Sequence, residues 1–147
     1  MIRITKEFNL EMAHALYGYD GLCKNIHGHT YYLYVTIKGE PESNSSSPKL
    51  GMVMDFGDLK KIVKGLIIDK LDHALVLNGN SPHKDIKDLK HPGFEKVVLM
   101  NYQPTCENLL VDFAARLQSS LPANVKLYSL KLCETVTSSA EWYAEDN

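Results

Sequence analysis

Residues 27–38, HGHTYYLYVTIK, decide the fold. Leu33, Val35 and Ile37 alternate with Tyr34, Thr36 and Lys38, the two-residue period of a strand that buries one face. Carried backwards, the odd register puts Tyr31, His29 and His27 on the apolar face. Residues 2–14, IRITKEFNLEMAH, repeat the pattern: Ile2, Ile4, Phe8, Leu10 and Met12 alternate with Arg3, Thr5, Glu7, Asn9 and Glu11. Here the even register delivers His14 to the apolar face. Strands from about Arg3 to His14 and from His27 to Lys38, joined by a loop containing Gly18 and Gly21, are expected to pair antiparallel. All three imidazoles then point inward.

Three neutral imidazoles suit zinc, because they leave the fourth tetrahedral position open for water or substrate, as in catalytic sites. The competing interpretation is a hydrogen-bonded buried histidine pair with His14 incidental. Cys23 stands four residues before His27, where a nearby cation favours the thiolate and makes it a base or nucleophile. A fourth ligand or a loop cysteine fits the same spacing.

The composition limits what else the chain can be. Its 147 residues are 44% hydrophobic, enough for one sizeable core, and the length argues for a single domain over 1–147. A net charge of −2 offers no basic field for nucleic acid. No run approaches the ~20 apolar residues of a membrane span, and the start, MIRITKEFNL, has no apolar leader pattern, so a cytoplasmic protein is expected. Cys23, Cys106 and Cys133 are an odd, scattered set, so free thiols are expected, with Cys106 and Cys133 small buried residues.

Beyond Lys38, residues 39–48 (GEPESNSSSP) hold no large apolar residue and form an excursion from Pro41 to Pro48. A short strand is expected from Gly51 to Phe56. A helix capped by Asp55 or Asp58 follows, with Leu59, Ile62, Val63 and Leu66 at helical spacing, ending near Leu71. A polar loop from Asn78 to Gly93 leads to a short strand, Lys96 to Met100. Pro104 and Thr105 then open a second helix bearing Leu109, Leu110, Phe113, Ala114 and Leu117. A closing hairpin is expected from Val125 to Glu134 and Ala140 to Ala144. The sum is an α+β layer in which an antiparallel four-stranded sheet carries two helices on one face. Its edge strands are templates for another chain, so symmetric association is expected.

Further groups bear chemistry. Asp72 and His73 are adjacent, so they cooperate only on a turn or across to a partner; a surface Asp beside a solvated His is the alternative. Glu134 continues a face shared by Tyr128, Leu130 and Leu132, where a carboxylate needs donors such as a guanidine-like ligand edge, unless the strand end exposes it. Glu107 lies in a first helical turn, where a carboxylate is also good helix chemistry.

In order along the chain, MAH at 12–14, CKNIHGH at 23–29, VMDF at 53–56, LDH at 71–73, PTCEN at 104–108 and CET at 133–135 resemble the 6-pyruvoyltetrahydropterin synthase and 6-carboxytetrahydropterin synthase family. The resemblance implies a T-fold, usually a hexamer built as a dimer of trimers, with active sites between subunits. It implies zinc on His14, His27 and His29, and Cys23 as the proton-abstracting thiolate. Asp72 and His73 become a second acid/base group from a neighbouring subunit. Glu134 becomes the pterin anchor, with Thr105 and Glu107 nearby. The implied substrate is 7,8-dihydroneopterin triphosphate. The implied product is 6-carboxytetrahydropterin, of the queuosine pathway, favoured over 6-pyruvoyltetrahydropterin by Cys23 and the compact C-x-x-x-H-G-H spacing. Two departures from the pattern bear on the pocket: Met12, where relatives often carry a small residue, and the stretch 72–78, one residue longer than the common form. Rival interpretations of the same residues are a zinc hydratase or hydrolase that dispenses with Cys23, and a pterin-binding module without turnover.

Overall fold

The computed structural model describes residues 1–147. Strands β1 (Ile2–His14) and β2 (His27–Gly39) pair antiparallel along their whole lengths, from Ile2 opposite Gly39 to His14 opposite His27. The chain then forms a loop closed on itself by two backbone hydrogen bonds, Glu42 N to Met52 O at 2.9 Å and Gly51 N to Glu42 O at 2.8 Å. Gly51 adopts a left-handed φ of +81° there, so the strand expected from Gly51 to Phe56 does not form; only Val53 of that stretch is buried.

Asp55 caps the helix that follows, its side chain accepting from Gly57 N at 2.6 Å. Leu59, Val63, Ile67 and Leu71 are all fully buried, a strict four-residue repeat that drifts by about 40° per step on a helix of 3.6 residues per turn. The helix absorbs the drift by changing its winding: α1 (Phe56–Val63) passes into a π-helical turn over Lys64–Ile68 and closes in α2 (Asp69–Leu71). The widened turn presents the Leu66 carbonyl to Arg116 Nη1 at 3.1 Å, while Arg116 also pairs with Asp112.

The sheet has six strands, not four. Ala74–Asn78 forms β3, Val97–Met100 forms β4, and the order is β4-β3-β1-β2-β5-β6, with β5 spanning Val125–Cys133 and β6 Ser139–Tyr143. β3 lies parallel to both β1 and β4, so the sheet is mixed rather than antiparallel. The physical reason is burial on both faces. Ala74, Leu75, Val76 and Leu77 are all buried, so β3 has no polar alternation to announce it. Leu75 and Leu77 pack in a small second cluster with Ala15, Ile86 and Phe94, on the side away from the helices.

Helices α1, α2 and α3 (Cys106–Gln118) share the other face, where a single cluster joins Leu59, Ile67 and Phe113 to Leu10, Leu33 and Leu130. Along β5, a register shift between Thr36 and Ile37 makes Leu127, not Tyr128, the residue that faces inward. Tyr128 instead packs under the Arg3 guanidinium, 4.0 Å from its ring centre. The bulge therefore flips the face below residue 129 and leaves Leu130, Leu132 and Glu134 in the expected register. No helix is long and apolar enough to cross a membrane.

The Arg116 bonds tie α3 to the π-helical turn. Arg116→Met should cost about 1.5–3 kcal/mol, the scale of hydrogen bonds that involve a charged group, read as a lower urea midpoint with an unchanged slope.

A candidate metal centre of three histidines

Antiparallel pairing places His14 at the end of β1 directly opposite His27 at the start of β2, and His29 opposite Met12. One ligand atom from each ring lies within 4.8 Å of the others. Backbone carbonyls set the tautomers of two rings. His14 Nδ1 is 2.8 Å from Pro104 O and His27 Nδ1 is 2.8 Å from Asn25 O; a carbonyl only accepts, so each Nδ1 carries the hydrogen. Each neutral ring then presents a lone pair at Nε2, and these two atoms are 3.0 Å apart. His29 Nε2 is buried with no hydrogen-bond partner. Converging lone pairs repel unless a cation lies among them, so the donor set fits a metal ion, with the second nitrogens of His14 and His27 held by the protein as metal-ligating histidines require.

Electrostatics favour the ligand form. Burial holds His14 below the ordinary imidazole value despite the opposing pull of its bond to Pro104, and burial does the same to His29 against the pull of Glu134. Glu134 leaves the end of β5 and brings Oε1 to 3.6 Å from His14 Nε2 and 3.8 Å from His29 Nε2. The same oxygen accepts from the Tyr31 hydroxyl at 3.0 Å. Tyr31 is fully buried, and burial followed by Glu134 pushes its ionisation far up, so it stays a donor. Its role was not drawn from the sequence, although the odd register placed it beside His29 and a buried tyrosine hydroxyl needs a partner.

Cys23 lies outside the three-nitrogen set. It sits in a single 3-10 turn, Leu22–Lys24, and its carbonyl accepts from Leu16 N at 2.9 Å, which ties the loop back to the residues following His14. Thr105 caps α3, its hydroxyl accepting from Asn108 N at 3.3 Å, next to the Pro104 carbonyl that holds His14. Glu107 is exposed and lines a groove with Leu110, Ala140 and Trp142, apart from the histidines. Cys106 is buried, donates to Leu132 O at 3.3 Å and has its thiol pushed up to about 12 by burial, which makes it inert.

Asp72 and His73 do meet, because the chain turns between them. His73 has φ +60°, a left-handed conformation that costs a non-glycine residue roughly 1–2 kcal/mol. In return, His73 Nδ1 comes within 3.0 Å of Asp72 Oδ2, while Asp72 Oδ1 accepts from Glu11 N at 2.8 Å. The Glu11 N–H, and after it His73, hold the Asp72 carboxyl below the usual range. The His73 side chain is 76% exposed. It borders a cleft with Glu11, Thr30 and Lys96 that His29 also lines; by parity the Glu11 and Thr30 side chains face away from the side of the sheet that carries His14. No hydrogen bond or ion pair joins the Asp72–His73 pair to the histidine cluster within one chain.

The lowered values of His14 and His29 have a signed consequence for metal-stripped protein. Unfolded, both titrate near about 6.5. Below that value the unfolded chain binds more protons than the folded one, so stability falls as the pH is lowered until the folded-state values are reached. The urea midpoint of metal-stripped protein should drop between about pH 7.5 and about pH 5.5, and less so in His14→Gln; an equal drop in that variant would assign the dependence to other groups.

The family model for 6-pyruvoyl tetrahydropterin synthase matches residues 3–145. The chain is 38% identical over 143 residues to the 6-carboxy-5,6,7,8-tetrahydropterin synthase of Haemophilus influenzae, covering 97% of this chain and 99% of that one. It is 38% identical over 117 residues to the 6-pyruvoyl tetrahydrobiopterin synthase of Pongo abelii, covering 78% and 66%. Among solved structures, the 6-pyruvoyl tetrahydropterin synthase of Caenorhabditis elegans superposes with a TM-score of 0.67 at 25% identity, covering 97% and 95%. The chain belongs to the 6-pyruvoyl tetrahydropterin synthase family.

Proposed function

We propose that this protein is a cytoplasmic, zinc-dependent 6-carboxy-5,6,7,8-tetrahydropterin synthase, which takes 7,8-dihydroneopterin triphosphate and water to 6-carboxytetrahydropterin, acetaldehyde and triphosphate, the queuosine-pathway reaction. The observation that carries the reading is the near full-length likeness to the Haemophilus influenzae protein of that name. The convergent donor set of His14, His27 and His29 supports it independently.

Zinc held by these three residues would supply Lewis acidity toward the hydroxyls of the substrate side chain. Glu134 orients the substrate by accepting two hydrogen bonds from the amino-pyrimidine edge, and Tyr31 steadies the carboxylate from behind. Thr105 borders the pterin pocket in this assignment by shaping the first turn of α3, whereas Glu107 opens on a separate groove. Cys23 removes a proton from the side-chain carbon. His73, with Nδ1–H directed at Asp72, keeps Nε2 free to accept and return a hydroxyl proton, and triphosphate departs. Because no hydrogen bond or ion pair joins the pair to the histidines of its own chain, a neighbouring subunit supplies it in this assignment, and the working form is a hexamer, a dimer of trimers.

The likeness to the Pongo abelii protein supports one rival product, 6-pyruvoyltetrahydropterin. Mass analysis of the products from 7,8-dihydroneopterin triphosphate decides between them, and acetaldehyde release is the outcome expected. Cys23→Ala should lower turnover by at least about 100-fold, the usual range for losing a proton-transfer group, with zinc content retained; loss of zinc would make Cys23 a ligand.

Mixing inactive Cys23→Ala chains with inactive His73→Ala chains should restore part of the activity, because a mixed interface joins an intact thiol to an intact imidazole. No rescue after verified subunit exchange would put both groups in one chain's site.

A further inference from the structure

The strained corner at His73 depends on one peptide plane. The carbonyl of Asp72 and the N–H of His73 belong to the same planar unit, and both of its polar atoms are engaged. His73 N donates to Glu11 O at 2.6 Å. Asp72 O accepts from Lys96 Nζ at 2.5 Å, and the same ammonium donates to Asp69 O at 3.1 Å. Asp69 begins the last helical turn, so Lys96 satisfies carbonyls that the end of a helix leaves unpaired. Lys96 is itself held in register: its own carbonyl accepts from Leu75 N at 2.9 Å, immediately before β4 pairs with β3.

We propose that Lys96 is a positioning residue for the Asp72–His73 pair, locking the peptide plane that turns His73 into the cleft. The inference rests on the assignment of that pair to proton transfer. A residue held at φ +60° relaxes by rotating the preceding peptide, and that rotation breaks both hydrogen bonds at once. Glu11 secures the N–H side with backbone atoms only. Lys96 secures the carbonyl side, and it is the one side chain bound to this plane. Its ammonium also adds to the forces that keep Asp72 ionised and able to accept from His73 Nδ1. Lys96 touches no reacting atom in this role. It sets where the imidazole stands.

The test uses the full-length, metal-loaded oligomer and 7,8-dihydroneopterin triphosphate. Lys96→Met should lower kcat by about 10–100-fold, the loss that a misplaced group about 1 Å from its working position produces, with KM and metal content close to parental. Lys96→Arg, which keeps the charge and can reach both carbonyls, should recover most of the loss. The imidazole nitrogen NMR signals of His73 should show a Nδ1–H bonded to Asp72 in the parent and in Lys96→Arg, and its loss in Lys96→Met. Parental kcat in Lys96→Met, an unaltered His73 spectrum, or a rise in KM alone, which would make Lys96 a contact for the substrate phosphates, each overturns the proposal. His73→Ala run alongside separates the two levels: retained activity there removes the catalytic assignment of the pair, while the spectrum still reads whether Lys96 places it.

Discussion

The antiparallel ladder between β1 and β2 is the constraint on which the remainder of the structure depends. It runs without a register shift from Ile2–Gly39 to His14–His27. A shift of one residue would send every side chain of one strand to the opposite face, and that would remove Leu33, Val35 and Ile37 from the core together with His27 and His29 from the site. Core and candidate metal centre are therefore set by the same pairing. The apolar residues in the middle of the ladder supply the energy that keeps the imidazoles at its end in register, and the histidines need no separate framework.

Much of this was legible because a half-buried strand reports its faces directly. The inward parity of His14, His27 and His29, the helical spacing of Leu59, Ile62, Val63 and Leu66 against the core and the alternation of Leu130 and Leu132 all survive in the structure. Glu134 keeps its expected face for the same reason. What parity could not supply was β3. Ala74, Leu75, Val76 and Leu77 are buried on both faces, and a short apolar run without alternation looks the same in a loop, a strand or a helix. The error at Tyr128 has a different source, since a β-bulge inserts one residue and inverts the face on one side of it, with no mark in composition. The carbonyls of Asn25 and Pro104, which fix the imidazole tautomers, are backbone atoms and carry no residue signature at all.

The missed strand also explains the Asp72–His73 pair. β3 must start beside Met12, where Ala74 pairs with it, directly after a helix whose last residue is Leu71. Two residues remain to reverse the chain from helix to strand. Such a short connection forces an unusual backbone conformation, and His73 takes it at φ +60°. Glycine or asparagine would adopt that conformation more easily. A histidine there means that a strained position carries a chemically versatile ring, and strain of this kind collects at functional sites.

The two histidine groups lie in different surroundings. On the helix side, low solvent access holds His14 and His29 neutral and Tyr31 protonated, which suits ligand lone pairs and a fixed donor. His73, by contrast, is open to solvent and stands 3.0 Å from a carboxylate held ionised, surroundings that suit the proton transfer proposed for it. Under the proposed assignment a single environment would serve both poorly, because burial deep enough to keep His14 and His29 neutral would also penalise the protonated form of any imidazole meant to move a proton. In the proposed oligomer, a neighbouring subunit's Asp72–His73 pair would meet the histidine cluster with each group keeping the solvation its task requires, and association would then complete the site rather than add to it.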